Sequence, residues 1–236
     1  MPAWMPGTRI CAHQAMENPN ERPQGPRSRN LPARVLLLVS GMAVHTLGIA
    51  LITRAMLGTT PISTLPLTLS AVLGVTLGTT TFVVNIAFFL SQIALLRARF
   101  ERRQWLQLPS VLLFSAMIDG WMTFTAAFPI EGAAAAWTAS LSANLLIAIG
   151  ILMQLASNLI LQPIDGAVLA ASIVTGRSFA SVKIANDVGC VLAASAVGAV
   201  CLGSLYGIGA GTLVSAFAVG WLIKLLRPLL FPDTRE

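Results

Sequence analysis

Apolar runs of membrane length recur along this chain, and they leave few folds open. VLLLVSGMAVHTLGIALI (residues 35–52) and FVVNIAFFLSQIALL (residues 82–96) approach the ~20 residues that cross a ~30 Å hydrocarbon core. In lipid every backbone polar group must be satisfied within its segment or in a closed barrel, and no run here alternates with a period of two. Helices are the remaining solution. Composition agrees: 56% of the 236 residues are hydrophobic and 10% are charged, against about 25% charged in a soluble domain.

Residues 1–31 are polar and Pro-rich, and they read as a disordered cytoplasmic tail rather than a cleavable signal peptide, with Met5 and Met16 as alternative starts. Residues 231–236 read as a second cytoplasmic tail. Cys11, Cys190 and Cys201 have neither disulfide-framework nor metal-ligand spacing. The formal charge of +6 comes from basic residues that collect beside apolar segments, without the aromatic-interleaved face of a nucleic-acid binder.

Those basic residues set the topology. Arg9, Arg22, Arg27, Arg29 and Arg34 precede the first span, and RARFERRQ (residues 97–104) carries four more, so the positive-inside rule places both in the cytoplasm. An even number of crossings must separate them. Residues 35–52 and 79–96 supply two, which leaves residues 61–73 as a short helix that does not cross. Residues 106–128 go out, the Lys- and Arg-free loop PIEGAAAAW is external, and 138–161 return. Residues 163–175 form a second short helix, 179–202 exit, and 208–226 come back. The expected fold is all-α and integral to the membrane, with six transmembrane helices and two short Pro-led half helices.

The two short helices begin PISTLPLTLSAVLG at Pro61 and PIDGAVLAASIVTG at Pro163, 102 residues apart. At that offset Gly74 meets Gly176, Thr79 meets Ser181 and Asn85 meets Asp187; at 100, LFSAMIDGW (113–121) meets LVSAFAVGW (213–221). A repeat with an odd number of crossings inserts its second copy upside down. The expectation is therefore an inverted 3+3 repeat, residues 32–132 and 133–230, whose half helices meet near the midplane as in many secondary transporters.

With ALITRAMLGTTPISTLPLTLSAVLGVTLG (residues 50–78), the Ile118-Asp119 pair and GIGAGT (207–212) in view, the chain resembles the YczE/YitT group of bacterial multi-pass membrane proteins over residues 36–226. The shared features are an LG-x-x-P segment, a short Pro-led helix ending in a Gly-rich turn, an intramembrane Ile-Asp and a GIGT-like stretch, here interrupted by Ala210. The resemblance implies an integral protein of the bacterial cytoplasmic membrane, and the charge count places both termini inside. The resemblance implies no reaction.

Ionisable residues inside a bilayer are costly and are read first as functional. Asp165 opens the second half helix, as an N-terminal cap or as a site ligand; Ser63 holds the equivalent place in the first half. Lys183 and Asp187, spaced i, i+4, either neutralise one another or line a polar cavity, or Lys183 snorkels to the interface. Asp165, Lys183 and Asp187, with Asn85 and Ser63, make the candidate polar or substrate site, placed at the cytoplasmic mouth. Arg54 and Asp119 are expected to form an intramembrane ion pair. His45, Gln154 and Asn158 read as hydrogen-bonded packing residues.

GIGAG lacks the soluble strand-turn-helix setting of a phosphate loop, and no HExxH, Ser-His-Asp set or Cys/His cluster marks an enzyme, a metal site or a cofactor. The leading expectation is a small secondary transporter or permease; the alternative is a non-transporting accessory or regulatory membrane protein acting through partner contacts. The expected partners are the lipid bilayer, a small solute or ion, and a membrane protein or a second copy of this chain.

Overall fold

The computed structural model describes residues 30–230. The expected tails therefore lie outside the described residues, except that Asn30 caps and Leu31 begins the first helix. Eight α-helices follow in order: α1 Leu31–Arg54, α2 Pro61–Leu73, α3 Leu77–Leu96, α4 Gln107–Thr125, α5 Gly132–Ser157, α6 Pro163–Thr175, α7 Phe179–Leu202 and α8 Ala210–Leu230. Short 3-10 turns at Arg97–Arg99 and Arg102–Leu106 join α3 to α4, and no strand occurs among the described residues. Six helices are long and apolar enough to cross a membrane. The other two, α2 and α6, have 13 residues each, or roughly 20 Å, too short for a crossing.

Local chemistry explains the half helices. Each begins with Pro, whose missing N–H would have had no partner in a first turn. Each ends at a left-handed glycine, Gly74 at φ 66° and Gly176 at φ 68°, a conformation that Cβ-bearing residues resist. The next helix is then capped by a hydroxyl: Thr76 Oγ1 accepts from Thr79 N at 3.1 Å, and Ser178 Oγ from Ser181 N at 3.2 Å. The same Pro-led helix, glycine turn and hydroxyl cap thus occur twice, 102 residues apart.

Both ends of α5 differ from the sequence reading. The run Ala133 to Ala136 is not external loop but the first turn of α5, because alanine is the strongest helix former. That helix also stops at Ser157 rather than at residue 161, because Asn158 turns left-handed at φ 48°.

Most of the packing scheme is unchanged when the halves are exchanged. Helix α1 packs on α5; α2 packs on α7 as α3 does on α6; α1 packs on α4 as α5 does on α8; and α2 packs on α3 as α6 does on α7. Two pairs break the rule: α3 lies along α4, whereas α7 and α8 make no comparable contact, and α2 touches α8, whereas α4 and α6 make no comparable contact. The half helices were expected to meet. Instead, each lies against the second long helix of the other half, and α2 does not pack along α6.

Helices α1 and α5 run antiparallel through the centre. Arg34 Nε donates to Ser157 O at 2.8 Å near one end, and the positions of Cβ atoms added to Gly41 and Gly48 fall 2.8 Å from Met153 Cβ and 2.7 Å from the Ile147 side chain. Only glycine lets the backbones come so close. Met42, Ile49, Ile52, Phe114, Ile118, Ala143 and Ile147 belong to the core built around this crossing.

Candidate functional site

The charged residues singled out in the second half come together where α6 begins. Lys183 Nζ lies 3.0 Å from Asp165 Oδ1 and 3.4 Å from Asp187 Oδ1. The hairpin explains the meeting. Helix α7 returns antiparallel to α6, so Asp187 comes level with the α6 N-terminus, and the Lys183 side chain extends one turn along α7 to reach both carboxylates. Asp165 does not act as the side-chain cap of α6, whose capping residue is Gln162. Its carboxylate sits in the first turn, where the helix dipole favours a negative charge. Lys183 Nζ and Asp187 Oδ1 are closed off from solvent, yet neither makes a well-directed hydrogen bond. The side chains as wholes retain 24% (Lys183), 31% (Asp165) and 28% (Asp187) exposure, so the cluster is half-buried rather than sealed.

Separately, a polar strut joins the residue before α6 to the central crossing. Gln162 Nε2 donates to Gln154 Oε1 at 3.0 Å, and Gln154 Nε2 donates to His45 Nδ1 at 3.0 Å. His45, in the middle of α1, stacks edge-on against Phe114 with ring centroids 5.1 Å apart and lies within electrostatic range of Asp165 and Lys183. The hydrogen-bonding roles expected of His45 and Gln154 are present. Asn158 acts differently: its backbone oxygen accepts from Arg34 Nη2 and from Arg103 Nη2. Sequence reasoning missed Gln162 and also Gln92, whose Nε2 donates to Pro163 O at 2.8 Å and to Gln107 Oε1 at 3.1 Å, anchoring the start of α6 to α3 and α4. An amide inside an apolar run was the available signal.

In the first half the positions equivalent to Asp165, Lys183 and Asp187 are Ser63, Thr81 and Asn85, all uncharged. Ser63 Oγ accepts from Thr60 Oγ1 at 2.9 Å, and Thr60 rather than Ser63 is the capping residue of α2. Asn85 Nδ2 donates to Thr81 O at 2.9 Å, while its Oδ1 is buried without a partner. Asn85 and Ser63 thus bond within their own half, with no hydrogen bond to the charged cluster.

The expected Arg54–Asp119 pair does not form. Asp119 reaches across to the N-terminus of α3, where Gly78 N donates to its Oδ1 and Thr76 Oγ1 to its Oδ2, both at 2.7 Å. A Cβ on Gly78 would fall 2.2 Å from Ser115 O and 2.6 Å from the carboxyl carbon, so the arrangement requires glycine. The free N–H groups of a helix start satisfy the carboxylate without a cation. Arg54 Nη2 donates instead to Met122 O at 3.4 Å, and its Nε is buried without a partner.

The two motifs that carry the sequence resemblance lie against each other at the same end of the bundle as Arg54. Gly211 N donates to Leu57 O at 2.8 Å, and Thr59 N to Gly207 O at 3.0 Å. Added Cβ atoms on Gly58 and Gly209 would fall 2.7 Å from Gly209 N and 2.5 Å from Leu57 O. Beside this clamp is a cavity of about 250 Å³ lined by Thr53, Met56, Gly58, Leu67 and residues 204–208. It is remote from the charged cluster in sequence and shares no lining residue with it.

A family model described as a family of unknown function (DUF6198) matches residues 32–228. No curated protein and no solved structure matches the chain.

Proposed function

We propose a transport function for this chain, which belongs to the family of unknown function DUF6198 and takes no activity from it. It is read as a small secondary transporter or permease built as an inverted 3+3 repeat. One observation carries the reading: a half-buried cluster of Asp165, Lys183 and Asp187 stands at the start of a helix too short to cross a membrane. Half-helix starts supply free N–H groups and a positive dipole end inside the bilayer, and transporters place substrate and ion sites at such points. The antiparallel α1 and α5, and a packing scheme most of which survives exchange of the halves, support the inverted arrangement. The likeness of LGTTP and GIGAGT to YczE/YitT-type proteins supports a bacterial inner membrane, and the arginines gathered at Asn158 support termini in the cytoplasm.

The second reading, a non-transporting accessory protein, is favoured by the pairing of Lys183 with both carboxylates, as a static brace would require. Flux decides between them. Purified protein in liposomes, screened against a panel of small polar solutes, is expected to move at least one solute class, and Asp165→Asn is expected to abolish that flux in a protein that still elutes as a single species. Absence of flux for the whole panel, with Asp165→Asn destabilising the fold, overturns transport in favour of the brace.

A further inference from the structure

We propose that the Asp165–Lys183–Asp187 cluster exchanges one proton for one monovalent inorganic cation. The inference deepens the transport reading by naming its coupling ion, and it rests on that reading for its purpose.

Charge arithmetic is the starting point. Two carboxylates against one ammonium leave one negative charge in excess. The elements around the cluster do not balance it. Helices α2 and α3, packed on α7 and α6, carry no ionisable residue. Helix α7 adds only the thiols of Cys190 and Cys201. From α1 comes His45, whose Nδ1 faces the Nε2 of Gln154, an amide nitrogen that can only donate. Nδ1 is therefore an acceptor and the imidazole is neutral.

A half-buried excess charge inside a bilayer is expensive and is neutralised by whatever single positive charge can reach it. A proton satisfies that need, and so does a monovalent cation, whereas a divalent ion overshoots it. Asp187 is the exchanging group. Lys183 stands farther from it than from Asp165, and its Oδ1 lacks a directed hydrogen bond. In the exchange the Asp187 O–H bond breaks, its electron pair stays on oxygen and the proton leaves to water. The cation takes up the carboxylate oxygens, which suit a hard ion. The cluster is neutral before and after.

The test is proton release from the purified full chain in weakly buffered detergent solution, read with a pH-indicator dye as LiCl, NaCl or KCl is added, with choline chloride at equal ionic strength as the control. Release of about one proton per chain is expected for at least one alkali ion and none for choline, since one charge is in excess. Asp187→Asn and Asp165→Asn each leave Lys183 one carboxylate, a neutral cluster, and are expected to lose the release. His45→Gln is expected to release as the unaltered chain does.

The proposal is overturned if no alkali salt exceeds choline, if monodisperse Asn variants still release protons, or if His45→Gln abolishes release. Should the Asn variants fail to fold, Lys183→Gln decides: with two excess carboxylates it is expected to release more protons per chain, and unchanged release overturns the proposal. The liposome flux screen keeps the two readings apart. Solute flux without cation-linked proton release sinks the exchange alone, and release without flux of any solute sinks transport alone.

Discussion

Asp119 shows how a carboxylate lives inside an apolar bundle without a cation. It accepts from Gly78 N and Thr76 Oγ1 at the start of α3, so removing it strands those donors in a half-buried place. Asp119→Ala is expected to lower the unfolding free energy in detergent by about 1–3 kcal/mol, the cost of leaving a buried partner unsatisfied. Asp119→Asn should be milder, because an amide oxygen can still accept from Gly78. Thermal unfolding measures both. Because Arg54 donates to Met122 O and not to Asp119, Arg54→Gln should add its own loss without rescuing Asp119→Asn, and a coupling well above about 0.5 kcal/mol in that double-mutant cycle would contradict the cap.

The contrast between this residue and Lys183 explains what was legible. Lys183 and Asp187 share a helix face by spacing, and Asp165 is tied to them by a short hairpin, so local rules suffice. Asp119 and Arg54 belong to different helices, and their meeting depends on how α4 is rotated about its axis. The close approach of α3 and α4 at Gly78 sets that rotation, and nothing in the sequence distinguishes Gly78 from the other glycines.

For whole helices, punctuation decided what could be read. Proline at one end and a left-handed glycine at the other marked both half helices to the residue. The start of α5 was misread because Gly132 and four alanines look like loop when judged by charge and like helix when judged by propensity. Which helices touch was not legible, since apolar faces in a membrane chain have no polar side to orient them. The α1–α5 crossing tests the packing. Gly150 lies on it, and a Cβ there would fall 2.6 Å from the His45 backbone nitrogen, which cannot move without the helix. Gly150→Ala is expected to destabilise by about 1–3 kcal/mol through overpacking. Gly189→Ala, with no heavy atom within 4 Å of its added Cβ, should leave unfolding unchanged. Equal effects of the two substitutions would place the crossing elsewhere.

Across the whole molecule the connections sort into two ends. Arg34 and Arg103 both donate to Asn158 O, which gathers the start of α1, the α3–α4 connection and the end of α5 at one end. Phe100 and Trp105 cluster there, with ring centroids 6.1 Å apart, while Trp121 and Phe124 cluster towards the far end of α4, 5.7 Å apart. Aromatic belts of this kind mark the two interfaces of a bilayer. The far end holds Arg54 with Met122 O and the clamp of Leu57 on Gly211, and it lacks the arginine cluster of the first. Under the positive-inside rule the Arg34–Arg103 end is the one expected in the cytoplasm. A cysteine placed at Arg99 is expected to resist a membrane-impermeant thiol reagent in intact cells and to react once they are opened, whereas one placed at Glu131 should react in both. Labelling of the Arg99 position in intact cells would invert the molecule or change the number of crossings. An inverted molecule would also turn the Asp165–Lys183–Asp187 cluster, at the start of α6, towards the opposite side and reverse the direction from which its proposed cation enters.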